Sequence, residues 1–204
     1  MIKLPLVTND NQNGLQIITI EGCNGVGKST LLNKFKAKHL DYECVLSVPD
    51  VFQTSKDMKK FMLFSSSPLC NALYYLSGSV EVRSRYDANS KKVILDRSLW
   101  STFATAYVKE KSIIEPLFKC LESIKNYVFI PNKIIILEAS YETCLLRINE
   151  KTDGKEFDKD KINEFGKKYD FYKLLKNTGY DVVFINTDSL NQNEVLEIFE
   201  KKIA

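Results

Sequence analysis

One glycine-rich run constrains this chain more than any other stretch: Glu21-Gly22-Cys23-Asn24-Gly25-Val26-Gly27-Lys28-Ser29-Thr30. It holds a complete G-x-x-x-x-G-K-S, with Gly22, Gly27, Lys28 and Ser29 at the fixed positions. Residues 15–20 before it are largely apolar and β-branched, as a buried strand requires. From Thr30 onward Leu31, Leu32 and Phe35 recur about one helical turn apart. A strand, a glycine turn and a helix in that order is the context in which such a loop wraps phosphate. Glycines let the backbone turn its N–H groups inward, and the helix N-terminus adds partial positive charge. Lys28 then reaches the β- and γ-phosphates, and the Ser29 hydroxyl takes one position on a magnesium ion. The run predicts a nucleoside-triphosphate site built from Asn24, Gly25, Val26, Gly27, Lys28, Ser29 and Thr30.

The remaining elements follow from hydrophobic spacing. Residues 1–14 are polar and read as a loose leader. Glu43–Val48 is a second strand, ended by Pro49-Asp50, and Thr54–Phe64 has helical spacing. Pro68 opens the next helix, which carries Leu69, Leu73, Tyr74 and Leu76. Strand three runs from Lys91 and closes on Asp96-Arg97-Ser98, with helices expected over Leu99–Lys111 and Ile114–Phe129. Lys133–Glu138 is the most apolar strand, followed by a helix over Tyr141–Asn149 and an almost wholly charged stretch at about 150–161. A helix over Ile162–Lys176, a fifth strand over Tyr180–Ile185 and a closing helix over Glu194–Ile203 complete the chain. Five buried strands separated by helices imply a parallel α/β sheet with right-handed crossovers, and a ligand outside the strands' carboxyl ends.

Composition narrows the chemistry. At 204 residues the chain reads as one domain, 1–204, able to bury a full core. A net charge of +3, with basic residues dispersed, gives no footprint for nucleic acid. Five scattered cysteines without C-x-x-C spacing, and one histidine, exclude a zinc site and any triad needing a second histidine. Odd, unpaired thiols with no signal peptide imply a reducing, cytoplasmic setting, and no apolar run is long enough to span a membrane. Cys23 reads chiefly as loop filler, with oxidation sensitivity as the lesser reading. No N-K-x-D accompanies the loop, which disfavours a GTPase.

The charged residues after the strands are the candidate chemistry. Val93-Ile94-Leu95 drives Asp96 to the sheet edge, where a carboxylate holds magnesium directly or through water; the alternative is a helix-capping aspartate. Arg97 offers a planar fork for phosphate oxygens. Asp50 is either a base toward an attacking hydroxyl or a plain turn residue after Pro49. Residues 150–161 read as a mobile lid with Arg147 one turn before it, against a solvated loop as the plainer reading.

On these motifs the chain resembles the thymidylate kinase family of P-loop nucleoside and nucleotide kinases over nearly its full length. The loop is similar to the family's E-G-x-x-G-x-G-K-[ST]-[ST], and Asp96-Arg97-Ser98 stands where the family has D-R-[YH] and deoxynucleoside kinases have E-R-S. Leu145-Leu146-Arg147-Ile148 resembles the lid entry, and Ile185-Asn186-Thr187 the turn that lies against adenine. The resemblance implies a three-layer αβα fold with strand order 2-3-1-4-5 and a short lid. It implies transfer of the γ-phosphoryl of Mg-ATP to a nucleoside monophosphate, chiefly dTMP. Lys28, Arg97, Asp96 and Asp50 would be catalytic, Arg147 and Thr187 would join the loop in holding ATP, and Ser29 and Asp96 would hold magnesium. Asp50, Tyr75 and Arg97 would bind the acceptor. The alternatives are a deoxynucleoside kinase with Asp50 as base toward a 5′-hydroxyl, and a non-catalytic ATP-binding regulatory protein. Partners would be small nucleotides and a second copy in a homodimer, with neither nucleic acid nor membrane. The chain departs from the family at Val51, where an arginine is usual, at Tyr74–Val80, which holds no arginine, and at Lys151, Lys155 and Lys159, where arginines are common.

Overall fold

A computed structural model describes residues 4–8, 14–49, 52, 58, 61–62, 66–86, 92–152 and 165–203. Asp50, most of the 54–64 segment and lid residues 153–161 lie outside the described residues, as do 162–164 at the head of the helix expected over Ile162–Lys176.

Five strands form one sheet: β1 (Gln16–Glu21), β2 (Glu43–Leu46), β3 (Lys92–Asp96), β4 (Lys133–Glu138) and β5 (Val182–Asn186). Their order is β2-β3-β1-β4-β5, with every pair parallel. The helices between them are α1 (Lys28–Lys38), α2 (Pro68–Arg85), α3 (Leu99–Lys109), α4 (Ile114–Ile124), α5 (Tyr141–Thr152), α6 (Phe165–Asn177) and α7 (Gln192–Ile203). The order is the one expected from the resemblance. Register aligns the strand ends: Leu46 lies beside Asp96, Ile20 beside Asp96, Glu21 beside Ile136 and Glu138 beside Asn186. Polar residues therefore collect along one edge of the sheet.

Side chains on a strand alternate between faces, and here the two faces have different covers. Ile18 and Ile20 of β1, with Ile94, Ile135, Leu137 and Ile185, pack against Leu31, Leu32 and Phe35 of α1 and Val195, Phe199 and Ile203 of α7. On the other face Ile134, Ile136 and Val182 pack against Trp100 and Phe103 of α3, Phe118 and Leu121 of α4, and Phe171, Tyr172 and Leu175 of α6. Ile17, Val93 and Leu95 continue that face under Val82 of α2. The alternation leaves Thr19 and Glu21 facing inward on the α3 side, both fully buried.

Several boundaries differ from expectation. The helix expected to run to Phe129 stops at Ile124 and gives way to a 3-10 turn over Lys125–Tyr127. Val128, Phe129 and Ile130 are buried outside the helix, so their apolarity serves packing rather than helical continuation. The 99–111 helix ends at Lys109, the 43–48 strand at Leu46, and the fifth strand begins at Val182 rather than Tyr180. The described part of the leader is not loose: Leu4 and Val7 are buried. The Tyr180 hydroxyl accepts from Val7 N–H at 2.8 Å and donates to the Pro5 carbonyl at 3.1 Å, which ties the segment to the core. Among the described residues no helix is long and apolar enough to cross a membrane.

Candidate active site

The phosphate loop is shaped by close backbone approach. Gly22 has φ 133°, and a Cβ there would meet the Leu137 carbonyl at 2.5 Å. Gly25 has φ 85°, and a Cβ there would meet the Cys144 carbonyl at 2.6 Å. No other residue type fits either position without moving α5 or β4. Gly27 caps α1, whose first turn carries no acid, so its free N–H groups and dipole face the loop uncompensated. Ser29 is exposed in that first turn.

Lys28 is buried and curls back over the loop, its Nζ donating to the Gly22 carbonyl at 2.9 Å and to the Cys23 carbonyl. Burial, then the Arg97 guanidinium, push its pKa down to about 7, against opposing pulls from Cys23, Asp96 and Glu21. Arg97 reaches the same loop. Its Nη1 donates to the Gly22 carbonyl at 3.1 Å and its Nη2 to Asn24 Oδ1 at 3.1 Å. Both cations therefore meet on one carbonyl oxygen. Arg97 achieves this through a left-handed φ of 65°, while its N–H continues the β1–β3 ladder to Ile20 O at 3.0 Å. A non-glycine residue in that region stores of order 1 kcal/mol or more, sustained here by the contacts the turn permits. Asp96, at the end of β3, is half-buried beside them.

Beneath the loop, Glu21 gathers hydroxyls. Its carboxylate accepts from Ser98 Oγ at 2.7 Å, Tyr172 Oη at 3.1 Å, Thr19 Oγ1 at 3.2 Å and Ser101 Oγ. Burial, then the Glu21 charge, hold the Tyr172 phenol well above its usual range, so it stays a donor. Ser98 also caps α3 by accepting from Trp100 N–H at 3.2 Å. One carboxylate thus anchors the start of the loop to the residues that follow Arg97.

The flank of the loop opens on a cavity of about 640 Å³ lined by Gly25, Val26, Gly27, Thr30, Arg147 and Thr187, together with Lys34, Leu190 and Asn193. Arg147 Nη1 donates to Thr187 Oγ1 at 3.1 Å and Nη2 to the Thr187 carbonyl at 2.8 Å. Thr187 Oγ1 is in reach of the Val26 and Glu138 carbonyls at 3.2 and 3.1 Å. The structure thus joins Arg147, Thr187 and the loop in one wall.

Tyr75 lies apart from that cavity on α2. Its neighbour Tyr74 packs edge-on against it at 5.3 Å and donates to the Phe52 carbonyl at 3.0 Å. Gly78 of the same helix presses on Val48, where a Cβ would meet Cγ1 at 2.7 Å. This contact sets the Tyr74–Tyr75 turn at the end of β2. Arg83 and Arg85 turn elsewhere: Arg83 stacks over Phe129 at 5.1 Å, and Arg85 pairs with Glu81. Sequence reasoning missed the Glu21 hydroxyl cluster, the Cys23–Cys144 contact and the Lys34–Asn193 rim. Strand alternation from Ile18 and Ile20 is the signal for the first, since a buried carboxylate needs donors.

For magnesium, the residues present are hard oxygen donors, Ser29 and Asp96. That set suits an ion that keeps several waters and takes its other ligands from phosphate. Among the described residues no cluster of three or more His, Cys, Asp or Glu forms an all-protein cage.

A deoxynucleoside kinase family model matches residues 18–202. A curated protein from Saccharolobus solfataricus named "Probable thymidylate kinase 1" is 30% identical, over 89% of this chain and 93% of its own. The chain belongs to the thymidylate kinase family of P-loop kinases. A thymidylate kinase from Chlorobium limicola is 24% identical, over 88% of this chain and 90% of its own length. The solved thymidylate kinase structure from Candida albicans superposes with a TM-score of 0.65 at 19% identity, over 93% of this chain and 94% of that one, which shows the shared fold. Membership in this family makes the chain an ATP-dependent nucleotide kinase.

Proposed function

We propose that this protein transfers the γ-phosphoryl of Mg-ATP to a deoxynucleoside monophosphate, with dTMP as the leading acceptor. The observation that carries the reading is the shared Gly22 carbonyl, on which Lys28 Nζ and Arg97 Nη1 converge at 2.9 and 3.1 Å. Two cations on one oxygen stand at the point where a donor's terminal phosphate and an acceptor's phosphate would meet. Catalysis is then positioning and charge neutralisation, since phosphoryl transfer asks little covalent work of the protein. Lys28 steadies the β- and γ-phosphates, the amides of Asn24 through Thr30 wrap them, and Arg97 holds the acceptor phosphate. Ser29 and Asp96 would hold magnesium, which supplies charge neutralisation at the transferring group. Thr187 and Arg147 border the adenine. Asp50 and Tyr75 are assigned to the acceptor, and residues 150–161 to a lid of the single domain 1–204. The family resemblance supports a cytoplasmic homodimer, which sedimentation of the purified protein checks.

A second reading is a deoxynucleoside kinase with Asp50 as base, favoured by the family model matched over 18–202. Incubation with Mg-ATP and a panel of nucleosides and monophosphates separates the two. ADP released with dTMP supports the first reading. Release only with nucleosides supports the second. Nucleotide binding with no transfer refutes both and leaves a regulatory ATP-binding protein.

A further inference from the structure

Two cysteines that the mechanism does not use lie against each other at the base of the phosphate loop. Cys23 Sγ and Cys144 Sγ are 3.4 Å apart, and both cysteines are free. Cys23 belongs to the loop and is half-buried, whereas Cys144, in the first turn of α5, is fully buried. The two backbones also lie close, since a Cβ at Gly25 would meet the Cys144 carbonyl at 2.6 Å. We propose that Cys23 and Cys144 form a redox-modification site, a reversible disulfide that deforms the phosphate loop and weakens nucleotide binding. The effect on binding rests on the ATP reading above; the formation of the bond does not.

The chemistry balances with a peroxide as oxidant. The reduced pair holds two protons, and loss of one leaves a thiolate that accepts a hydrogen bond from the remaining thiol. That hydrogen bond from Cys23 favours the charge on Cys144, helped by Arg147 and Lys28 against burial. Burial and the hydrogen bond to Cys144 hold the Cys23 thiol well above its usual range, so the charge rests on Cys144; peroxide reaches Cys23, the less buried sulfur, and Cys144 takes the Cys23 proton as the oxygen is transferred. The Cys23 sulfur takes one oxygen atom from hydrogen peroxide, becoming a sulfenic acid and releasing hydroxide. Cys144 sulfur then attacks it, the S–S bond forms, and the sulfenic oxygen leaves as water. In sum two thiols and one peroxide give one disulfide and two waters. The sulfurs lose two electrons and the peroxide gains them. A dithiol reverses the step by thiol–disulfide exchange.

The consequence for the loop is geometric. A disulfide requires about 2.05 Å between sulfurs, so the pair must close by about 1.4 Å. Helix α5 has little room to slide toward the loop, because even a Cβ at Gly25 would meet the Cys144 carbonyl at 2.6 Å. The movement therefore falls on Cys23, whose carbonyl and that of Gly22 are the acceptors gripped by Lys28. A displacement of about 1 Å in a positioning group costs on the order of a hundredfold in such sites.

The test uses the full chain carrying Cys70→Ser, which removes the exposed thiol. Treated with equimolar hydrogen peroxide and digested without reductant, it should yield one cross-linked peptide joining Cys23 and Cys144. Affinity for a fluorescent ATP analogue should fall at least about tenfold and return with dithiothreitol. Adding Cys144→Ser should abolish both the cross-link and the loss, while leaving affinity in reductant unchanged. Separate sulfinic acids on the two residues, or a cross-link with affinity intact, would overturn the proposal. Protein that binds no ATP even in reductant would refute the kinase reading instead, and the peptide map would still decide the sulfur chemistry.

Discussion

Lys28 links the loop's geometry to a pH dependence that can be worked out in advance. Its pKa stands at about 7 in the free protein, against 10.5 for the unperturbed side chain. Burial is the main cause, and Arg97, sharing the Gly22 carbonyl, is the second. Bound phosphates reverse that balance by placing several negative charges beside the ammonium, so binding should restore the proton. Between pH 7.5 and 9 the charged fraction of free Lys28 falls from about a quarter to about a hundredth, so ATP affinity should drop about 25-fold, roughly 1.9 kcal/mol. The terminal phosphate, with a second pKa near 6 for phosphate esters, is already ionised across that window and adds little slope. Calorimetry at pH 8 in two buffers of different ionisation enthalpy should register uptake of about one proton per ATP. Lys28→Arg, which keeps its charge at every accessible pH, should lose the slope even if it binds more weakly. The Cys144 thiol is held below its ordinary range by the Cys23 hydrogen bond, so the series is repeated with Cys144→Ser. Affinity that stays level from pH 7.5 to 9, with no proton uptake, would refute the account. The sign for folding is opposite in sense to that for binding. The unfolded chain keeps a proton that folded Lys28 gives up between about pH 7 and 10.5, so this group's contribution to stability rises with pH across that range.

Three further outcomes follow from the same contacts. Arg97→Ala should lower turnover at least about a hundredfold through lost transition-state charge stabilisation, read by steady-state kinetics; unchanged rates would remove its assignment to the acceptor phosphate. Glu21→Ala strands four hydroxyl donors, three of them buried, and should cost about 3 kcal/mol in a denaturant titration, with Glu21→Gln costing less; a change within about 0.5 kcal/mol for both would show that the cluster does not hold the loop. Gly25→Ala combines a φ of 85° with a Cβ placed 2.6 Å from the Cys144 carbonyl, so nucleotide binding should be lost while the far-ultraviolet circular dichroism is kept; retained ATP affinity would mean the loop has room that its geometry denies.

The parts of this fold that sequence made legible are those that depend on order and period. A strand, a glycine turn and a helix can be read locally, and alternating apolar strands and helices force a parallel sheet whose carboxyl ends share one edge. That is why Lys28, Asp96, Arg97 and Thr187 were expected together and do meet along that edge. What could not be read is which partner each side chain takes. Residues 128–130 carry the same apolar signal as the helix before them, and only tertiary packing ends that helix at Ile124. The leader carries a polar run, yet Leu4 and Val7 are held by Tyr180, a partner 173 residues from Val7 in the chain.

Arg97 shows how far such inference reaches. Its position after an apolar strand is a sequence fact, but its left-handed backbone is a tertiary one, because Gly22, Asn24 and Ser101 give the guanidinium a reason to turn back. The same holds around the whole loop. Glu21 fixes it from below through hydroxyls on α3, its N-cap and α6, Thr187 fixes its far side at the Val26 carbonyl, and Cys144 meets it at Gly25. A loop held at three points by groups distant in sequence has little freedom left to reorganise when phosphate arrives. Its amides and the Lys28 and Arg97 side chains are therefore set before the substrate binds, and groups preorganised in that way are the largest source of acceleration open to a phosphoryl-transfer site.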